Sequence, residues 1–283
     1  SKETEAVYHN DTGIVPPQGW YKYLSASLGY GHMAALGYDY VPRLNRMIHL
    51  YALMQGVQTE YLTDQATSIQ YHDGKQFLST SDALWKDIVG NGRLRVEYSK
   101  GLVVQVNYNG TENWTVAAAG RTFDLPSYGW VIEKPGEILS YSALHDGHRV
   151  DVVKCPGYIY VNSGDHAFKD AELGLEITGA LWLKREGDAW RAIPCGDLGP
   201  WEKFYPEKWP DDLYDLRASS IPENRGLSVC VIDAGKLLGK PAAEVSATAR
   251  DAAGNAVEST AVQAEGDSLR IVPQPQIVDY LLN

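Results

Sequence analysis

Residues 94–117 read LRVEYSKGLVVQVNYNGTENWTVA, and this stretch decides the class of fold. Leu94, Val96 and Tyr98 alternate with Arg95 and Glu97, the period of two expected of a strand with one buried face. Ser99-Lys100-Gly101 offers a turn, and Leu102–Asn107 is a second apolar run of strand length. Asn109-Gly110 suits a tight turn because both residues tolerate a positive φ, and Trp114–Ala117 resumes the strand pattern beyond it.

The same signals recur outward. Ser68–Tyr71 runs into the turn His72-Asp73-Gly74. A short helix follows, with Thr80 or Ser81 as N-cap and Ala83, Leu84, Trp85 and Ile88 inside it. Gly129–Glu133, Ile138–Ala143, Val150–Val153 and Tyr158–Val161 continue the strands, and Leu175–Leu183 pairs with Ala189–Ile193 across Glu186-Gly187-Asp188. Strands at this spacing predict a β-sandwich. A stretch from Pro200 to Pro222, rich in Trp, Tyr, Pro and Asp, lacks periodicity. Beyond it, Leu227–Ile232, Glu244–Ala249, Ala256–Ala264, Ser268–Val272 and Gln276–Leu281 read as a smaller immunoglobulin-like sandwich, with Asp251–Asn255 as a hairpin connection.

Ahead of residue 65 the pattern is helical. Pro17–Leu28 puts Trp20, Tyr23, Leu24 and Leu28 on one side, and Gly29-Tyr30-Gly31 ends the run. From Val41 to Tyr61, Leu44, Met47, Ile48, Tyr51, Leu53 and Met54 form a broad apolar stripe, with Pro42 in the first turn. The preceding residues are too few to bury that stripe, so the helix needs another partner surface; a stripe left exposed would make a homodimer. The predicted organisation is mainly β with an N-terminal helical portion: a helical segment at 1–65, a β-sandwich at 66–215 and a small immunoglobulin-like β-sandwich at 216–283.

Composition narrows the function. The 283 residues carry a net charge of −11, which repels a phosphate backbone and argues against nucleic acid. No apolar run reaches membrane-spanning length. Eighteen Tyr and 8 Trp against 4 Phe favour aromatic faces with a polar edge. The three cysteines, Cys155, Cys195 and Cys230, include no CxxC pair and leave one disulfide open. Phosphate loops, dinucleotide fingerprints and nucleophilic triads are absent, so no cofactor is expected.

Asn107–Val116 (NYNGTENWTV) and Leu125–Val131 (LPSYGWV) carry a resemblance. Together they resemble the β-sandwich that follows the (β/α) barrel in several glycoside-hydrolase-like families. The resemblance spans residues 65–165 and extends to the helix at 41–61, which resembles a terminal barrel helix. A full barrel needs about 200–250 residues, and its catalytic carboxylates come from several strands. The resemblance therefore implies the C-terminal portion of a secreted or cell-envelope, bacterial carbohydrate-active protein. It implies a supporting or carbohydrate-binding role, with an upstream catalytic domain as partner. Two alternatives stay open: a hydrolase whose site is completed by residues outside this chain, and a structural module of the cell envelope.

Candidate binding residues follow from side-chain chemistry. Trp201, Tyr205, Trp209 and Tyr214 offer stacking faces for a pyranose, and Asp211 accepts hydroxyl bonds; the plainer account is a linker packing its aromatics between domains. Tyr8 and His9, with the segment Gly29-Tyr30-Gly31-His32, pair rings with polar groups in the manner of a sugar pocket, against the plainer account of ordinary loops. His145-Asp146-Gly147-His148 has metal-ligating side chains, but Asp-Gly between two strands is explained by a hairpin tip, so no metal is expected.

Overall fold

The computed structural model describes residues 17–34, 44–195 and 227–283. The fold is mainly β, with two helices ahead of the first strand. The described chain divides into two compact units, one ending at Pro156 and the next starting at Gly157.

The first unit opens with helices α1 (Pro17–Gly29) and α2 (Leu44–Tyr61). Strands β1 (Ala66–His72) and β2 (Phe77–Ser79) and the short helix α3 (Thr80–Trp85) follow. Ser79, one residue ahead of the expected cap, accepts the Asp82 N–H at the start of α3. Then come β3 (Arg93–Tyr98), β4 (Val103–Asn107), β5 (Trp114–Ala118), β6 (Arg121–Leu125), β7 (Gly129–Lys134), β8 (Ile138–His145) and β9 (His148–Cys155). Pairing is antiparallel in the order β2-β1-β3-β4-β7-β8-β9, and β5 and β6 form a hairpin that touches β8 through Asp124 and Leu144.

Register separates the two faces of this sheet. Val106, Trp130, Ser142 and Asp151 form one row across β4, β7, β8 and β9, and Val104, Ile132, Ser140 and Val153 form the next. Helices α1 and α2 pack on strands of this sheet. Leu24 and Leu28 of α1 and Leu50, Leu53, Met54 and Val57 of α2 are buried, each stabilising by about 1.5–3 kcal/mol. The partner surface that α2 requires is thus the sheet that follows it in sequence. Its buried stripe is Leu50, Leu53, Met54, Val57 and Tyr61, whereas Tyr51, expected within it, is 40% exposed. The described part of the stripe is covered inside the chain and does not itself call for a homodimer; the side chains of Leu44 and Met47 lie outside the described residues. The change from helix to strand near residue 65 lies inside this unit, because the helices have no core without the sheet.

The opposite face is covered by the β5–β6 hairpin. Gln105, aligned with Val131 and Tyr141, donates its side-chain amide to the Ala117 carbonyl, and Phe123 packs against Tyr141 at 5.0 Å. Strands β4, β7 and β8 are therefore covered on both sides. They are buried at consecutive positions where β3, buried on one side, alternates. Between β8 and β9, Asp146 and Gly147 both have positive φ (51° and 81°), the two-residue turn expected there. Among the described residues no cluster of His, Cys, Asp and Glu could hold a metal.

The second unit contains β10 (Tyr158–Asp170), β11 (Leu175–Glu186), β12 (Ala189–Pro194), β13 (Val229–Asp233), the short helix α4 (Ala234–Leu238), β14 (Ala247–Arg250), β15 (Ala256–Val257), β16 (Val262–Glu265), β17 (Ser268–Ile271) and β18 (Asp279–Leu282). The long β10–β11 hairpin shifts register between Asn162 and Ala167, where Ser163 Oγ accepts the Gly179 N–H at 3.1 Å. Two arms diverge from that break. One runs β11-β13-β17-β16 and the other β11-β12-β18-β14-β15, a sandwich-like arrangement. Residues 157–195, expected within the 66–215 sandwich, thus belong with the C-terminal strands, through pairings that span long stretches of sequence. The Asp251 turn forms as expected, its carboxylate accepting the Ala253 and Asn255 N–H groups.

None of the three cysteines is in a disulfide. Burial pushes the Cys195 thiol up to about 12 and raises Cys230, which has no exposed surface. Iodoacetamide at pH 8 is expected to alkylate the half-buried Cys155 and to spare Cys195 and Cys230 until the chain unfolds; peptide mass mapping reads the difference.

Candidate functional site

The end of α1 sets the first part of the site. The His32 N–H reaches back to the Ser27 carbonyl at 2.8 Å, and Gly31 between them takes φ +66°, closing the helix in a Schellman motif. A side chain at Gly31 would need that left-handed backbone and would meet the Tyr98 hydroxyl at 2.9 Å. The Tyr61 hydroxyl donates to the His32 carbonyl at 2.8 Å and fixes the loop against α2. Tyr30 therefore leaves the helix in a set direction, with 51% of its surface exposed.

Asn107 sets the second part. It ends β4 fully buried, and its amide donates to three carbonyls: Glu112 at 2.7 Å, Leu125 at 3.0 Å and Pro126 at 3.0 Å. One side chain thereby ties the 108–113 turn to the Leu125-Pro126 segment. Asn109 Oδ1 accepts the N–H groups of Thr111 and Glu112, closing that turn. The two stretches that carry the family resemblance are thus one structural staple. In the Pro126–Gly129 turn, the Gly129 N–H bonds the Pro126 carbonyl at 2.8 Å and Tyr128 has φ +60°. Gly110 lies under Tyr128, where a Cβ would come within 2.7 Å of the phenol oxygen.

These loops bring four rings together. Tyr30 lies 6.2 Å from His32 and 6.4 Å from Tyr108, and Tyr108 lies 5.6 Å from Tyr128. The last two contacts are edge-on, which suits the ring quadrupole. Lys22 holds its ammonium 5.8 Å from the Tyr108 centroid. The guanidinium of Arg93 pairs with Glu112 at 2.8 Å on the neighbouring turn. Such a group of rings beside fixed polar groups can hold a flat, hydroxylated ligand.

No family model matches the chain, and neither the curated proteins nor the solved structures contain a match.

A buried polar network lies under the helices. The Tyr21 hydroxyl donates to Asp151 Oδ2 at 2.7 Å, and His49 Nε2 stands 3.6 Å from the same oxygen. The guanidinium of Arg149 lies 3.8 Å from the centre of the Tyr21 ring and donates to Ser142 Oγ at 3.0 Å and the Ser127 carbonyl at 2.6 Å. Asp151 is 1% exposed, and its Oδ1 is buried without a hydrogen bond among the described residues. Burial first, and then the Asp151 charge, raise the Tyr21 hydroxyl well above its ordinary range. The network fastens both helices to β8 and β9. Through Ser127 it also braces the turn that carries Tyr128.

Of the residues expected to bind, His32 lies at this site. Tyr8, His9, Trp201, Tyr205, Trp209, Asp211 and Tyr214 lie outside the described residues. Tyr108 and Tyr128 sat within the family-like motif and carried a fold signal alone. The sequence clue to Tyr128 was a bulky ring immediately before the glycine of a Leu-Pro-x-x-Gly turn.

Proposed function

We propose that this chain is a β-rich portion of a carbohydrate-active protein and that it holds sugar at Tyr30, His32, Tyr108 and Tyr128 rather than cleaving it. The observation that carries the reading is the half-exposed Tyr30 ring, fixed by the end of α1 beside the other three rings. Tyrosine presents an apolar face to the C–H face of a pyranose and a hydroxyl to its polar edge. The left-handed Tyr128 adds support. A glycine at that turn position would avoid a strain of about 1–2 kcal/mol, so keeping the phenol there points to a use for the ring. The ligand class that fits is an oligo- or polysaccharide. Secretion or placement in the cell envelope and an upstream catalytic partner belong to the same proposal, supported by the resemblance of residues 65–165.

A glycan array followed by titration calorimetry tests it. Tyr30→Ala is expected to weaken oligosaccharide binding by about tenfold or more, or about 1.4 kcal/mol, with a loss of stability below about 1 kcal/mol because half of the residue is in solvent. Trp85→Ala, at a 91% exposed Trp on α3, is expected to leave binding unchanged. Equal loss in both variants, or no glycan bound by the wild type, contradicts the proposal.

A further inference from the structure

We infer that the sugar held at this site carries an anionic group, a carboxylate or a sulfate, and that Lys22 is its counter-charge. This rests on the sugar-binding reading of the Tyr30 site. Lys22, Ala26 and Tyr30 are spaced four residues apart, so Lys22 and Tyr30 stand on the same side of α1 and its end. The Tyr30 N–H bonds the Ala26 carbonyl at 3.0 Å, which carries the helical phase through to Tyr30. The half-buried Lys22 ammonium stands 5.8 Å from the centre of Tyr108, the ring against which Tyr30 packs edge-on.

The charge balance here differs from that of the chain. Arg93 and Glu112, on the adjoining turn, neutralise each other at 2.8 Å. Lys22 makes no ion pair with a carboxylate among the described residues. Among the described residues the site therefore presents an unneutralised cation, on a protein whose net charge is −11. An ammonium has three donors and no acceptor, so a carboxylate or sulfate on the ligand gains a charge-assisted bond that a neutral sugar lacks. The Tyr108 ring beside it lowers the local polarity and strengthens that bond relative to bulk water. A short anionic saccharide meets this local field, whereas a long polyanion also meets the negative charge of the rest of the chain.

Calorimetry of the full chain with three matched probes tests the inference: tetragalacturonate, its fully methyl-esterified form, and a sulfated galactan tetrasaccharide. The expected result is that at least one anionic probe binds about fivefold more tightly than the neutral ester. That preference is expected to vanish in Lys22→Gln, survive in Lys22→Arg, and shrink between 50 and 500 mM NaCl, as screening demands. Which anionic probe shows it identifies carboxylate or sulfate as the source. Equal binding of the neutral ester overturns the inference and leaves the sugar-binding reading intact. An anionic preference that persists in Lys22→Gln also overturns it. Binding by none of the three probes, with no glycan bound on an array, overturns both.

Discussion

Asn107→Ala is expected to destabilise the first unit by about 3 kcal/mol, because the side chain is buried and its donors serve three carbonyls at once. The truncation removes one donor from each of the carbonyls of Glu112, Leu125 and Pro126, of which Pro126 keeps the Gly129 N–H, and water replaces the lost donors only by opening the staple. Asn107→Asp is expected to be worse than Ala. It would point a carboxylate at three carbonyl oxygens, with no hydrogen left to donate unless it takes up a proton. Urea unfolding followed by circular dichroism gives the difference, read against an unchanged second unit. The same variants are expected to lose sugar binding, since Tyr108 and Tyr128 flank the staple. A loss below about 1 kcal/mol for Asn107→Ala contradicts the assignment of this residue as the tie between the two loops.

Asp151→Ala carries the second large effect. It strands the Tyr21 hydroxyl and removes the carboxylate that faces His49, at an expected cost of about 3 kcal/mol. For a unit of this size that is about 6–12 °C in melting temperature. Asp151→Asn keeps an acceptor for Tyr21, and its cost is expected to be smaller. Tyr21→Phe combined with Asp151→Ala is expected to cost less than the sum of the single changes, because both remove the same bond. Additive losses would mean that the two groups do not act together.

Much of the strand pattern was legible in the residues. Leu94–Tyr98 alternates because one face of β3 is buried, and the turns at Asp146-Gly147 and Asp251–Asn255 form where their chemistry demands. Strand β6 was not anticipated: Arg121–Leu125 is only five residues long and runs directly into Pro126. The division at Pro156 was also hidden. Cys155-Pro156-Gly157 looks like any hairpin turn, and what defines the second unit is pairing of β11 with β13 and of β12 with β18, far apart in sequence. Local periodicity carries no information about such pairings. The site was half legible for a related reason. The α1 terminus announced itself through Gly-x-Gly and brought Tyr30 and His32 into view. Tyr108 and Tyr128 lie about 80–100 residues further on, and only the fold brings them to Tyr30.

The proposed sugar would sit among Lys22, Tyr30, Tyr108 and Tyr128. The most direct measurement is therefore amide chemical-shift mapping of the isotope-labelled chain during titration with an oligosaccharide that the array selects. The expected result is saturable shifts confined to the amides of residues 29–33, 107–112 and 127–129, with none at Trp85. Shifts centred anywhere else, or no saturable shift with any selected glycan, contradict the claim that these loops form a sugar-holding site.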